Sequence, residues 1–425
     1  MKAPSRNQPW FFKLHWQVVL AMLGGVALGL IGGPKLVHYY EWIGRWFVKL
    51  LTLAVVPLVI SAIVVGVARL GNPTLIRRLG LKTLLYYLST AALAILTALL
   101  MVNLFHPGEG VDLDSFVQGG PSGYKTRVRD VVIDILPFDP VGGEFGLTGE
   151  GNSKVIGLIF IAFAFGLGLA TIKRTRRDVV VLILDGFLEL LMKVVDVLVR
   201  LAPLAVLSLL ASLLARTGAW ILVPLAGYMG TVAAGLGFHF FITIPLIIFL
   251  VARRSPFVYF RQVQEALAMA FATASSNAAL PVTMEAAEVR AGIDTRVTGF
   301  VLPMGAMVNL DGAALYEGVA ALFIAQAYGF EFGFPEQLLI ILTAVVTSIG
   351  AAGIPHASLV MLAIVFHAVG LPLEAIGLLF AVDRVLDMSR TATNVWSDLG
   401  AAAVVAASEP GGVVEAGPSK ERTED

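Results

Sequence analysis

The stretch EAIGLLFAVDRVLDMSRTATNVWSDLGAAAVV, residues 374–405, is an apolar segment that carries a stripe of polar side chains. The polar residues recur every three or four positions, which on a helix places them on one face; they are Asp383, Asp387, Arg390, Thr391, Asn394 and Asp398. At mid-bilayer each Asp or Arg costs about 2.5–3.5 kcal/mol, whereas each Leu, Ile, Val or Phe returns only about 0.3–0.6 kcal/mol. We therefore predict a helix whose stripe faces a wet, protein-enclosed site rather than lipid.

Nearly every segment of the chain is apolar. Of its 425 residues, 57% are hydrophobic, 14% are charged and none is cysteine. This composition is typical of a polytopic membrane protein, because no polar stretch is long enough for a separate soluble domain. The absence of cysteine excludes disulfides and thiolate metal sites. We predict full membrane spans at about 16–34, 39–70, 80–106, 153–172, 179–215 and 220–252.

Basic residues cluster in alternate connections between these spans. They are Lys2, Arg6 and Lys13; Arg69, Arg77, Arg78 and Lys82; Lys173, Arg174, Arg176 and Arg177; and Arg253, Arg254 and Arg261. By the positive-inside rule these connections are cytoplasmic, whereas the acid-rich connection 107–152 is extracellular. Aromatic and basic residues at 1–16 predict an interfacial anchor rather than a cleaved signal peptide. We expect both termini on the cytoplasmic side of the cell's inner membrane, with a disordered tail at 408–425.

Two apolar stretches in the C-terminal half are each divided by a small, polar tip. Residues 258–292 contain FATASSNAALPVTM, and residues 336–373 contain the tip AAGIP. In each case the two arms are too short to cross roughly 30 Å of hydrocarbon, which is typical of a re-entrant hairpin. A kinked single span is the alternative for each stretch taken alone. If residues 296–328 cross the membrane once, the two hairpins enter from opposite sides and form an inverted repeat.

The span between the hairpins is interrupted at Asn309-Leu310-Asp311-Gly312. Backbone unwinds at membrane depth only where buried polar groups or ions satisfy it. Transporters use such carbonyls to bind cations and half-helix N-termini to bind substrate carboxylates. We therefore predict an all-α polytopic membrane protein with eight transmembrane helices, two re-entrant helical hairpins and inverted repeats.

Four motifs, in order along the chain, resemble those of the glutamate transporter family, the dicarboxylate/amino acid:cation symporters that include the excitatory amino acid transporters. The motifs are ASSNAALPVTM at 274–284, NLDGAALYEG at 309–318, SIGAAGIP at 348–355 and VDRVLDMSRTATNVWSDL at 382–399. The resemblance covers nearly the whole chain. It implies a homotrimer in the lipid bilayer that works as an elevator, in which a transport domain moves against a static scaffold.

The same resemblance implies a division of the chain. The expected scaffold comprises the anchor and first two helices at 1–79 and the fourth and fifth helices at 153–219; the expected transport domain comprises helix 3 at 80–106 and helix 6, both hairpins and the last two helices at 220–407. The implied substrate is an acidic amino acid, L-aspartate or L-glutamate, whose uptake is driven by sodium. No cofactor and no nucleic-acid partner is expected.

An acidic amino acid carries one ammonium and two carboxylates, and the stripe offers a partner for each. Asp387 suits the ammonium group, and the planar fork of Arg390 suits the side-chain carboxylate. An i,i+3 salt bridge between these two residues is the alternative. The residues implied for the substrate are Ser275, Ser276, Asn277, Ile354, Ser358, Asp387, Arg390, Thr391 and Asn394.

The resemblance also implies three sodium sites built from carboxylate, hydroxyl and carbonyl oxygens. The first would use Asp398 with carbonyls of Gly305, Asn309 and Asn394; the second, carbonyls of Met307, Ser348, Ile349 and Ala351; the third, Asp311, Asn309, Tyr87 and Thr90. At the third site Ala91 stands where the family usually has a hydroxyl residue. Ser89 is close in sequence but points elsewhere on a helix.

Several residues depart from the family pattern. Ala313 replaces a threonine that helps to hold the side-chain carboxylate, and Ser358, in place of a glycine, offers a hydroxyl in compensation. Glu317 occupies a position that is Gln in archaeal relatives and an acid in mammalian ones. A carboxyl buried there favours its neutral form and can carry a proton; a solvated or salt-bridged acid is the alternative.

A family arginine is missing from this chain. Its two usual positions hold Ala274 and Met388, and Arg384, one turn before Met388, is the expected substitute. A local salt bridge between Arg384 and Asp383 is the alternative.

Other functions fit the sequence less well. The chain has no GxGD or GxSxG protease motif and no phosphate-binding GxxxxGK[ST] motif. We therefore expect no enzymatic activity. An anion channel, or a proton-driven dicarboxylate or neutral amino acid carrier of the same fold, remains open. A substrate without an amine, however, gives Asp387 nothing to bind. His239 and His367 have no metal-ligand companions at suitable sequence spacing.

Overall fold

The structure is a computed structural model that describes residues 14–69, 75–111, 161–162, 164–166, 168–169, 171–330, 332–333, 337, 340, 344, 361–362, 365–366, 369, 371–372, 375–380 and 382–413. Within these residues it is helical, apart from one isolated antiparallel bridge between Ile293 and Val413. The helices are α1 (Leu14–Arg69), α2 (Leu75–Phe105), α3 (Arg174–Arg200), α4 (Ala202–Thr217), α5 (Leu222–Phe238), α6 (Ile244–Leu250), α7 (Pro256–Thr273), α8 (Ser276–Glu285), α9 (Thr295–Val308), α10 (Asp311–Ala327), α11 (Ile376–Phe380) and α12 (Asp383–Ala407).

Helix α1 contains both of the first two predicted spans. It bends at Gly33, whose φ of 58° and ψ of −174° are not helical. Glycine reaches this region without a Cβ clash. Four residues before this bend, α1 packs closely on α4: a Cβ on Gly29 would lie 2.7 Å from the carbonyl oxygen of Ala211. The close approach of these two helices therefore depends on glycine in α1.

The prediction of one continuous span at 179–215 is wrong. Helix α3 ends at Arg200, α4 begins at Ala202, and Leu201 lies in the turn between them. Pro203 follows in the first turn of α4. Proline lacks the N–H that a helix interior requires, but it is well tolerated in a first turn, where that N–H has no intrahelical partner. The proline thus separates two helices.

Helices α5 and α6 are joined by a π-helical turn at His239–Thr243. Together with the preceding residues from Ala219, they form one apolar column that ends at Leu250. The predicted span at 220–252 matches this column closely. A π-helical turn inserts an extra residue and often marks a functional position; here it carries His239, the one buried histidine of the described residues.

Helices α7 and α8 form a helical hairpin over the stretch 258–292. Ala274, with φ 50° and ψ 40°, ends α7 in the left-handed conformation. Ser275 caps α8 by accepting a hydrogen bond from the amide of Ala278 at 3.2 Å. Arg290, which follows α8, pairs with Glu265 in α7 at 2.6 Å, so the chain returns along its first arm. Most of the second predicted hairpin, 336–373, lies outside the described residues.

The interruption predicted between residues 309 and 312 is present at Asn309 and Leu310. Both residues have non-helical backbone angles, and Asp311 is the first residue of α10. Every residue of α10 except Gln326 is buried. A helix buried on all sides belongs to the interior of the molecule, so its polar residues cannot be ordinary surface positions.

The buried apolar residues form two clusters. One surrounds α10 and includes residues from α2, α4 and α5. The other surrounds the C-terminal half of α12 and includes residues from α7, α8 and α9. Helices α2, α10 and α12 pack against one another, and α1 packs mainly on α3 and α4.

Four described segments are long and apolar enough to cross a membrane: Val19–Phe47, Leu79–Phe105, Ala219–Leu250 and Thr295–Ala327. The chain after α12 continues in contact with the protein. The ammonium group of Lys82 lies 2.7 Å from Glu409 and 3.0 Å from the carbonyl oxygen of Ser408. The amide of Asp294 donates to the carbonyl of Gly412 at 3.0 Å. These contacts involve the first residues of the segment predicted as a disordered tail.

Candidate functional site

The polar stripe of α12 is buried. Its six residues, Asp383, Asp387, Arg390, Thr391, Asn394 and Asp398, are each at most 9% exposed. Helix α12 faces α9 and α10 on one side and the hairpin helices α7 and α8 on another. The prediction that the stripe avoids the outer surface is therefore confirmed.

Arg390 is held between two carboxylates at the N-terminal end of the stripe. Its Nη1 lies 2.7 Å from Asp383 Oδ1, and its Nη2 lies 3.0 Å from Asp387 Oδ1. The guanidinium carbon sits 3.9 Å from the centre of the Tyr316 ring, a cation–π distance. We call Asp383, Asp387, Arg390 and Tyr316 the arginine group. The i,i+3 salt bridge considered from the sequence is thus present, extended by a second carboxylate.

One donor of the arginine group is not used. Nε of Arg390 is buried and makes no hydrogen bond with the described residues. A buried charged donor without a partner is costly unless something fills the site. The guanidinium therefore keeps a hydrogen-bonding direction available for an added carboxylate.

The start of α10 is pressed against α12 beside the arginine group. The amide of Gly312 donates to Asn394 Oδ1 at 2.8 Å, and a Cβ on Gly312 would lie 2.8 Å from the carbonyl oxygen of Arg390. Thr391 donates its hydroxyl to the carbonyl of Asp387 at 2.9 Å. Asn394 and Thr391 thus lie close to Asp387 and Arg390 on the same helix.

Asp398 lies at the junction of α2, α9 and α12. Its Oδ1 accepts a hydrogen bond from Asn309 Nδ2 at 2.8 Å. The hydroxyl of Tyr87 donates to the carbonyl of Val301 at 2.9 Å. A Cβ on Gly305 would overlap both Asp398 Oδ1 and the Tyr87 hydroxyl, so these groups crowd around the bare Cα of Gly305.

Asp311 is held by three side chains from three helices. Thr90 Oγ1 donates to Asp311 Oδ1 at 3.2 Å, Ser397 Oγ donates to Asp311 Oδ2 at 2.6 Å, and His239 Nε2 lies 3.4 Å from Asp311 Oδ2. All four residues are at most 1% exposed. Asp311 and Asp398 with these neighbours form what we call the carboxylate group.

The two carboxylates of this group have neutral hydrogen-bond donors. Within the described segments the imidazole of His239 lies 3.4 Å from Asp311, and no lysine or arginine lies within 4.0 Å of Asp311 or Asp398. Buried carboxylates without a cationic partner are costly. Carboxylate, hydroxyl, amide and carbonyl oxygens are ligands for hard cations, so the donor set fits sodium ions.

The structure divides the residues predicted for the third sodium site. Thr90 contacts Asp311, whereas the side chains of Tyr87 and Asn309 lie with Asp398. Ala91 is buried. Ser89 is exposed and donates to the carbonyl of Leu85 at 2.7 Å, so it points away, as its position on the helix predicted.

The structure describes only some of the other residues predicted for the substrate and sodium sites. Ser275 and Ser276 are half-buried at the hairpin tip, Asn277 is exposed, and Met307 lies in the last turn of α9. Among the described residues, no hydrogen bond joins the hairpin tip to α12. Predicted residues that fall outside the described residues are Ser348, Ile349, Ala351, Ile354 and Ser358.

Glu317 and Arg384 were predicted to modify transport. Glu317 is completely buried in α10, so the solvated alternative is wrong. Arg384 lies in the first turn of α12, and its side chain is outside the described part of the structure. Asp383, the local partner considered for Arg384, is bound to Arg390.

Sequence reasoning missed Ser397 and His239. Ser397 follows Asn394 by three positions, so the helical spacing that identified the stripe also identifies this serine. His239 has no such signal, since it is a lone histidine in an apolar helix. Its proximity to Asp311 depends on how α5 packs against α10 and α12.

The sequence of this chain resembles known proteins along most of its length. Residues 14–408 match the model of the sodium:dicarboxylate symporter family. The chain is 33% identical over 417 residues to the proton/glutamate-aspartate symporter of Escherichia coli, covering 93% of this chain and 92% of that protein. It is 32% identical to mouse excitatory amino acid transporter 3, covering 93% and 86%, and 33% identical to the proton/sodium-glutamate symport protein of Geobacillus stearothermophilus, covering 90% and 91%. The chain therefore belongs to the sodium:dicarboxylate symporter family.

Proposed function

We propose that the protein is a secondary active transporter that couples uptake of an acidic amino acid, L-aspartate or L-glutamate, to the sodium gradient. The observation that supports this proposal is that α12 contributes residues to two differently charged groups, the arginine group and the carboxylate group. Arg390 lies between Asp383 and Asp387, and about two turns farther along α12 Asp398 has only neutral donors. An amphoteric acidic substrate matches the first group, and cations match the second.

Substrate binding follows from the chemistry of the arginine group. The side-chain carboxylate of the substrate takes the guanidinium fork of Arg390, and the substrate ammonium takes the Asp387 carboxylate that Arg390 releases. Each charge thereby exchanges one partner for another within a buried site, so the exchange avoids the cost of leaving an unpaired charge. A dicarboxylate without an amine would offer Asp387 no ammonium group in exchange for Arg390.

Cation binding follows from the carboxylate group. Sodium ions at Asp398 and Asp311 neutralise two buried carboxylates close to Asn394 and Arg390. Because Asn309, Asp311 and Gly312 are nearly consecutive, an ion there also fixes the start of α10 against α12. Sodium binding would thus organise the substrate site, which is the physical basis of coupling.

The packing of the helices supports an elevator-type movement. Helices α2, α5 to α10 and α12 make most of their contacts with one another, and α1 packs on α3 and α4. We propose that the first set moves as one body against the second within a homotrimer. The eight-helix topology with two re-entrant hairpins belongs to the same proposal.

Glu317 supports additional proton coupling. It is buried in α10 next to Tyr316 of the arginine group, and a carboxyl is a group that can bind and release a proton. Two of the relatives are named as proton-coupled symporters. We propose that Glu317 takes up and releases a proton during the cycle, and that Arg384 adjusts the charge near the substrate.

Uptake into proteoliposomes tests the proposed function. Radiolabelled aspartate, glutamate, succinate and serine are supplied with sodium, proton and potassium gradients imposed one at a time. We expect saturable, electrogenic uptake of aspartate or glutamate that requires inward sodium. Equal uptake in sodium-free buffer under a proton gradient alone would contradict sodium coupling, and preferred uptake of succinate would contradict the role of Asp387.

A further inference from the structure

Ser397 makes the shortest of the three side-chain contacts to Asp311. Its Oγ donates to Asp311 Oδ2 at 2.6 Å, which is typical of a hydroxyl bound to a carboxylate. Both residues are 0% exposed, and they are 86 positions apart in the chain. The contact therefore joins α12 to the first residue of α10, two residues after the break at Asn309.

A serine in this position has coordination capacity left over. A hydroxyl donates one hydrogen and keeps two lone pairs on its oxygen. With its hydrogen directed at Asp311, Ser397 can present those lone pairs to a cation bound by the same carboxylate. Thr90 has the same chemistry on the other oxygen, Asp311 Oδ1, at 3.2 Å. Two hydroxyls from α12 and α2 thus flank one buried carboxylate.

The charge of the surroundings also indicates a cation. Apart from His239, which lies 3.4 Å from Asp311 Oδ2, the contacts of this carboxylate are neutral hydroxyls. Nδ1 of His239 makes no hydrogen bond within the described segments, so the ring is held mainly by packing and by Asp311. A small hard cation would complete the coordination that these oxygen atoms begin.

We propose that Ser397 is a sodium-binding residue, which together with Thr90 and Asp311 forms a cation site. The inference rests on the sodium coupling proposed above and adds a ligand to it from the substrate-binding helix itself. Ser397 is adjacent to Asp398 and one turn after Asn394. An ion at Asp311 would therefore fix α12 directly, rather than only through α10.

The test compares Ser397→Ala with Ser397→Cys in the purified full-length protein. Alanine removes the oxygen, and cysteine keeps a side chain of similar shape but replaces a hard oxygen with a soft sulfur, which is a poor sodium ligand. Ser89→Ala is the matched control, because it deletes an exposed hydroxyl of α2 one residue before Thr90. Two quantities are measured: the sodium concentration that half-saturates L-aspartate binding, and the rise in melting temperature caused by sodium without aspartate, against choline.

We expect both Ser397 variants to need about tenfold or more sodium, as for a lost hydrogen-bonding ligand of a charged site. Their aspartate affinity at saturating sodium stays within about threefold of the parent, and their melting temperature rises less with sodium. Ser89→Ala behaves like the parent. If Ser397→Ala does not fold, Ser397→Cys and the sodium-dependent melting shift decide the question.

A double-mutant cycle with Asp311→Asn separates ligation from packing. If Ser397 acts through the ion at Asp311, adding Ser397→Ala to Asp311→Asn raises the sodium requirement little further. Full additivity, or sodium requirements within threefold of the parent in both Ser397 variants, would overturn the assignment while leaving sodium coupling intact. Aspartate binding by the parent that is independent of sodium would overturn both this inference and the proposed function.

Discussion

The two ends of the α12 stripe handle charge in opposite ways. At the N-terminal end, Arg390 compensates Asp383 and Asp387 within 3.0 Å. Farther along, Asp398 and the neighbouring Asp311 face hydroxyls, an amide and His239. Within the described residues, the two carboxylates of the arginine group share a guanidinium partner, whereas the carboxylate group has no lysine or arginine within 4.0 Å. Under the proposed function, this difference means that substrate exchanges partners at the arginine group, while cations provide partners at the carboxylate group.

Removing Arg390 should have the largest effect, because it takes the shared cationic partner away from two buried carboxylates. Arg390→Ala leaves Asp383 and Asp387 buried without their cation and removes the partner of the substrate's side-chain carboxylate. We expect a loss of about 2–5 kcal/mol, or roughly 30- to 4000-fold in aspartate affinity, with relative gain for neutral amino acids. Binding titrations at saturating sodium measure it. Arg296→Ala, an exposed arginine paired with Asp294, is the control. An affinity within threefold of the parent would make Arg390 structural.

Neutralising Asp398 should weaken cation binding at the carboxylate group. Asp398→Asn preserves the shape of the side chain and removes the charge that a cation would balance. We expect a rise of about 10- to 150-fold in the sodium needed for half-saturation, corresponding to about 1.5–3 kcal/mol. The measurement is aspartate binding at increasing sodium and constant ionic strength. Asp294→Asn, at the exposed start of α9, should leave the sodium curve unchanged; an unchanged curve for Asp398→Asn would contradict the cation assignment.

The aromatic ring of Tyr316 should contribute less to aspartate binding than Arg390 does. The Arg390 guanidinium lies 3.9 Å from its centre. Tyr316→Leu removes the cation–π contact and should weaken aspartate binding by about 0.5–2 kcal/mol, roughly 2- to 30-fold. Tyr316→Phe keeps the ring and should stay close to the parent. Equal losses in both variants would assign the effect to the hydroxyl instead.

Glu317 should affect coupling rather than affinity. Glu317→Gln keeps the size of the side chain but cannot carry a proton. We expect sodium-dependent aspartate binding within about threefold of the parent, slower return of the empty carrier and no acidification of the proteoliposome lumen during net uptake. A pH-sensitive dye in the lumen reports the difference. Equal acidification by parent and variant would exclude Glu317 as the proton carrier.

The features that could be predicted from the sequence are those that depend on a local pattern of residues. Spacing of three and four residues identified the buried stripe, and the run from Asn309 to Gly312 identified the break before α10. The small, polar tip around Ser275 identified the break between α7 and α8. In each case a short stretch of sequence determines the feature, either through the spacing of its polar residues or because its residues interrupt a helix.

Features that depend on packing were not predictable in the same way. The link from Asp383 to Arg390 spans seven residues and requires a particular rotamer of a long side chain. His239, the first residue of the π-helical turn between α5 and α6, is 72 positions from Asp311 in the chain, so their contact depends on the packing of the helices. The break at Leu201 was missed because apolar residues continue on both sides of it. Ser397 was also missed, although its helical spacing from Asn394 was sufficient to place it on the same stripe.

In the proposed mechanism, cations bind the carboxylates of the carboxylate group and thereby organise the arginine group. The most direct test is the dissociation constant of L-aspartate from the purified parent protein, measured over a hundredfold range of sodium with choline as the balancing ion. With ions bound at both Asp311 and Asp398, aspartate affinity below sodium saturation should rise about a hundredfold for each tenfold rise in sodium. An affinity that does not change with sodium would contradict the account.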